Sequence, residues 1–197
     1  MSIPEDLVTY HKEVTGEIVW GLFRLQQFEQ LYGTSLKTVD LLDLTASLFF
    51  RVLYELWFNS MAMSVRVLMD KNPQTVSLVQ LVAKAKRHID PVSHEGLCCE
   101  LEEGLAVIWE MSKAIRTYAD KVVAHRDASV FVRNGRVRLI PRILKKDFRA
   151  TFNKMGELVN VLNGHFSDSE QSWTLVTRPD SDAHSLIAKL ESVQAST

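Results

Sequence analysis

Apolar residues recur at steps of three, four and seven over most of this 197-residue chain, and only 8 Gly and 5 Pro interrupt them. That spacing belongs to helices that each bury one stripe, which restricts the chain to helix-on-helix packing. The first helix is expected from about Pro4 to Gly33. Its stripe is Leu7, Tyr10, Val14, Ile18, Leu25, Phe28 and Tyr32. Gly21 lies on the same stripe, where a missing side chain lets another helix come close. A second helix is expected from about Val39 to Asp70, with Thr38 or Asp40 as its cap. Leu41, Leu44, Leu48, Val52, Leu56, Trp57, Met61, Val65 and Leu68 surround it on most sides. A helix of that kind is central or forms a subunit interface. Asn72-Pro73 ends it, because a residue before proline avoids the helical region.

Three more helices follow the same spacing, over about 76–88, 93–123 and 144–163, the first two separated by Asp90-Pro91. Asp182 caps a last short helix that carries Leu186, Leu190 and Val193. The period changes only at 129–140. There Val130 and Val132 precede Asn134-Gly135, and Val137 and Leu139 follow it, a strong signal for a tight hairpin. The fold expected is all-α, an up-and-down helical bundle with a small β-hairpin inserted near 129–140. Residues 1–166 form the bundle domain. Residues 167–197 form an irregular segment and a short C-terminal helix packed on the same domain.

Net charge is −1, so no overall field draws the chain to nucleic acid or a membrane. Cys98 and Cys99 are adjacent and cannot staple distant segments, which points to a reducing compartment and a cytoplasmic protein. The most apolar stretch, Leu41 to Met69, holds Asp43, Arg51, Glu55 and Arg66, too many charges for a membrane span.

The string most able to carry chemistry is Arg116-Thr-Tyr-Ala-Asp120-Lys121-Val-Val-Ala-His125-Arg126-Asp127. Lys121 and His125 are four residues apart and share a helix face. Histidine titrates near neutrality and can move protons or meet phosphate. A capping histidine at a cation-favouring helix end is the other reading of the same residues. Between Arg126 and Arg149 the basic residues are Arg126, Arg133, Arg136, Arg138, Arg142, Lys145, Lys146 and Arg149, against only Asp127 and Asp147. Such a patch holds phosphates, or it is a solvated surface, or it is salt-linked to Glu95, Glu100, Glu102 and Glu103. His88, Asp90, His94 and Cys98 lie near one another but lack a metal-ligand spacing, so no metal is expected. With no Gly-rich phosphate loop and no dinucleotide fingerprint, no cofactor is expected either.

Ala124-His125-Arg126-Asp127 after a long helix resembles the end of the HEPN superfamily motif, in its abortive-infection (AbiU-like) branch. Val65-Arg66-Val67-Leu68-Met69-Asp70, followed by Val76-Ser77-Leu78, is similar to the pattern that closes that branch's second helix. The resemblance covers roughly residues 5 to 165. It implies a HEPN-like bundle, a homodimer, and metal-independent ribonuclease chemistry in which the His works with an Arg four to six intervening residues before it. Tyr118, Ala119 and Asp120 occupy those positions here, and Arg116 is nine residues before His125. The site expected is therefore His125 with Lys121, Arg126, Arg133, Arg136, Arg138, Lys145 and Lys146 around phosphate, and Asp120, Asp127, Arg66 and Asp70 behind them. Three functions stand open. They are RNA or nucleotide-phosphate binding in a defence or toxin–antitoxin role, an inactive module that binds a protein partner, and a weak ribonuclease.

Overall fold

The computed structural model describes residues 2–124, 142–175, 180 and 182–195, and every regular element among them is helical. Helix α1 spans Glu5–Tyr32 and α2 spans Leu36–Leu68. Helix α3 covers Leu78–Ala85 and runs into a 3-10 turn at Lys86–His88. Helix α4 covers Glu95–Met111, α5 covers Lys113–Tyr118, and a π-helical turn at Ala119–Ala124 follows. Helix α6 spans Lys145–Ser167 and α7 spans Ala183–Gln194. The hairpin expected at 129–140 lies outside the described residues.

Helix α1 is the axis of the packing and touches α2, α3, α6 and α7. Of the stripe read from sequence, Leu7, Val14, Ile18, Leu25 and Phe28 are buried in the main core, and Tyr10 and Tyr32 are partly buried against it. Met61, Val65 and Leu68 of α2 meet them there, with Leu101, Ile108 and Ile115 from α4 and α5 and Phe148, Phe152 and Val159 from α6. Gly21 permits the α1–α6 approach, since a Cβ there would stand 2.4 Å from Cζ of Phe152.

Helix α2 behaves as two pieces. Ser35, not Thr38 or Asp40, caps it, its Oγ accepting from the Thr38 N–H at 3.1 Å. Ala46 has non-helical angles (φ −162°, ψ 71°), so the helix is broken there. Leu41, Leu42 and Phe50 form a second, smaller core with Leu31 of α1 and Ala183 and Ile187 of α7. Hydrogen bonds from the Ala183 N–H to Gln27 (2.8 Å) and Gln30 (3.1 Å) fasten α7 to α1. The opposite face of the same stretch is uncovered, with Leu44 78%, Leu48 74%, Phe49 61% and Leu56 59% exposed.

Two boundaries differ from the sequence reading. The long helix expected over 93–123 breaks at Ser112 and ends in the π turn. Helix α6 does not stop at Gly164. Burial of Phe166 carries it on to Ser167, and Asp168 then takes the left-handed conformation that ends a helix (φ 47°).

Candidate functional site

The chain after α2 is tied down by short polar bonds. Ser77 Oγ donates to the Asp70 carbonyl at 2.7 Å and accepts from the Gln80 N–H at 3.2 Å, so one side chain caps α3 and fixes the end of α2. The Asn72 N–H donates to Asp70 Oδ1 at 2.9 Å. Gln80 Nε2 donates to the Lys71 carbonyl at 2.9 Å. This turn sets Arg66, Asp70 and Lys71 opposite the end of α4, α5 and the π turn.

Across that gap Arg66 Nε lies 2.5 Å from Asp120 Oδ1. Trp109 and Arg116 are two helical turns apart on one face. The Arg116 guanidinium lies over the indole, its Cζ 3.5 Å from the ring centre. It also donates to the Trp109 carbonyl (Nη2, 2.9 Å) and to Ser112 Oγ (Nε, 3.1 Å). Lys71 Nζ stands 3.6 Å from the centre of the same ring. Burial pulls the Arg116 guanidinium below its ordinary pKa, and the charges of Asp120 and Glu110 oppose that pull. An arginine nevertheless stays cationic in a protein. Arg66, Asp70, Lys71, Trp109, Arg116 and Asp120 line a cavity of about 230 Å³. Three cations, Arg66, Lys71 and Arg116, and two carboxylates, Asp70 and Asp120, line it.

The structure therefore brings together three of the expected residues, Arg66, Asp70 and Asp120. Lys121 follows in the π turn, half-buried. His125, Arg126, Asp127, Arg133, Arg136 and Arg138 lie outside the described residues. Lys145 and Lys146 open α6, where Lys145 Nζ lies 2.7 Å from the place a Gly33 Cβ would take, and Asp147 reaches back to the Leu144 N–H at 2.7 Å. Arg149 pairs with Glu29 of α1, while Glu102 of the acidic stretch pairs with Lys86. The residues weighed for a metal go to separate partners. His88 meets Asp6 at 3.0 Å, Asp90 binds Ser93, and His94 packs against the His165 ring at 5.0 Å. Among the described residues no group of three or more His, Cys, Asp or Glu is placed to hold a metal ion.

Sequence reasoning missed Trp109, Lys71 and the role of Arg116. The π turn at Ala119–Ala124 after Arg116 holds more residues per turn than an α-helix, so α-helical spacing counted along 116–124 does not hold. The available signal was the seven-residue spacing of Trp109 and Arg116, which puts a cation above an indole on one helix face.

The HEPN family model described as AbiU2 matches residues 4–185. No match was found among curated proteins or among solved structures.

Proposed function

We propose, from the premise that this chain belongs to the HEPN AbiU2 family, that it serves an abortive-infection type of defence by holding RNA or nucleotide phosphate at the end of α5. The observation that carries this reading is the cavity where Arg66, Lys71 and Arg116 converge. It stands beside the π turn whose last residue, Ala124, directly precedes His125 in sequence. Cations that converge on one small cavity favour an anion more than scattered surface lysines do. The basic residues of 126–149 add attraction for a longer phosphate chain.

Labelled single-stranded RNA bound at several salt concentrations tests the reading. Each neutralised phosphate of a single strand contributes a slope of about −0.7 to the plot of log affinity against log salt, so three contacts give about −2. A flat response would remove the phosphate role. Turnover is a separate question, because cleavage through the 2′-hydroxyl needs proton transfer as well as charge stabilisation. His125 is the group for that transfer. Digestion of RNA in EDTA that is lost in His125→Ala identifies a ribonuclease, and intact RNA identifies a binding protein.

A second reading, an interaction module, draws on a different observation. The uncovered face of α2, with Leu44, Leu48, Phe49 and Leu56 exposed, has the character of a protein interface. Its simplest occupant is a second copy, giving a homodimer. Light scattering on the purified chain tests this, and a monomer at micromolar concentration argues against it.

A further inference from the structure

We infer that Arg66 is the residue that takes the phosphate, that Asp120 positions it, and that the site reads phosphate without reading a base. This deepens the phosphate reading above and rests on it.

The three cations of the cavity are not equivalent. Arg116 is committed to its own helix, with Nε on Ser112 Oγ, Nη2 on the Trp109 carbonyl and its plane against the indole. Lys71 is held over the same ring at 3.6 Å. Arg66 has one partner among the described residues, Asp120, bonded through Nε at 2.5 Å. Its two Nη groups make no hydrogen bond to any described residue. A guanidinium fixed through Nε presents its Nη edge as a two-donor fork, which matches a pair of phosphate oxygens. Lys71 and Arg116 then supply field, and Arg66 supplies the contact.

As a purely structural link, the Arg66–Asp120 pair has little to offer. Its side chains are 34% and 49% exposed, and pairs so open to water contribute little to stability. As a positioning device it makes sense, because the carboxylate fixes which edge of the guanidinium faces the cavity.

The same geometry excludes a base. The indole of Trp109, the aromatic ring of the cavity, carries cations at 3.5 and 3.6 Å from its centre and has no face open for stacking. The volume, about 230 Å³, is below the roughly 300 Å³ at which small-molecule sites begin. A phosphate group fits it.

The test uses the full chain and two labelled single-stranded RNAs of equal length, one of uridines and one of adenosines, in EDTA at several salt concentrations. Wild type is compared with Arg66→Ala, Arg66→Lys and the reciprocal pair Arg66→Asp with Asp120→Arg, all checked for an unchanged thermal midpoint. The inference expects the two RNAs to bind alike. Arg66→Ala weakens both by tenfold or more and makes the salt slope shallower by about 0.7. Arg66→Lys keeps the slope but loses part of the affinity. The reciprocal pair regains most of what Arg66→Ala loses, because the guanidinium returns to the same gap from the other side. Normal binding by Arg66→Ala overturns the inference and leaves the phosphate reading standing. Failure of a folded reciprocal pair to regain affinity also overturns it, as does a strong preference for one base. Absence of salt-dependent binding in wild type overturns the phosphate reading itself, and this inference with it.

Discussion

At Gly21 the backbone of α1 lies so close to the fully buried Phe152 ring that no side chain fits between them. Gly21→Ala therefore forces the ring or the helix to shift and is expected to cost about 1–3 kcal/mol, as overpacked cores do. Urea unfolding checks this, and an unchanged midpoint would show that Phe152 moves freely. Tyr32 supplies a pH dependence. Its Oη donates to the Phe50 carbonyl at 2.7 Å, and burial pushes its pKa from 10.0 up to about 12. Because the folded value is raised, the neutral phenol's contribution is complete below pH 10 and is lost as pH rises through 12. Wild type is thus expected to lose more stability between pH 10 and 12 than Tyr32→Phe, in urea titrations at fixed pH. Gly21 was legible as a close-approach position because it sat on the apolar stripe. Trp109 was not, because a single tryptophan on an apolar helix reads as core until Lys71 and Arg116 are seen above it.

The helices themselves were largely written in the spacing of apolar residues, and their ends were not. Asp182 caps α7 as expected, its side chain accepting from the Ser185 N–H at 3.2 Å. Ser35 displaced the expected caps of α2, since Ser, Thr and Asp cap almost equally well and only the local path chooses among them. Nothing in residues 93–123 announced the break at Ser112, where the side chain is buried and bonds to the Trp109 carbonyl (3.3 Å) while the apolar spacing continues. Gly164 marked a stop that Phe166 overrode by burying itself. Ser77 shows how much one cap does here. It is fully buried, and it joins the end of α2 to the start of α3. Ser77→Ala is expected to cost about 1–2 kcal/mol in thermal unfolding. It should also weaken phosphate binding by loosening the turn that carries Lys71. Lost stability with unaltered binding would separate that turn from the site.

Over the whole molecule, α2 joins two surfaces of opposite character. Its C-terminal end carries Arg66 into the cation-lined cavity, and its broken N-terminal half exposes an apolar face. No helix among the described residues is long and apolar enough to cross a membrane. Replacing Leu48 and Leu56 together by Glu is expected to leave the fold intact, since both side chains are mostly exposed, and to lower the molecular mass seen by light scattering. An unchanged mass would mean that this face does not join two copies. The overall bundle was legible because helical spacing and charge breaks run through the entire chain. The cavity was not, because it is assembled from α2, the turn after it, α4 and the π turn, which only tertiary packing brings together. The most direct test of phosphate binding there follows the four tryptophan indole N–H resonances during titration with a short single-stranded RNA. Trp109, assigned through Trp109→Phe, is expected to shift progressively and saturably, while Trp20, which lines a separate cavity with Phe23 and Trp57, stays still. Binding that moves Trp20 and leaves Trp109 unchanged would contradict a phosphate site at the end of α5.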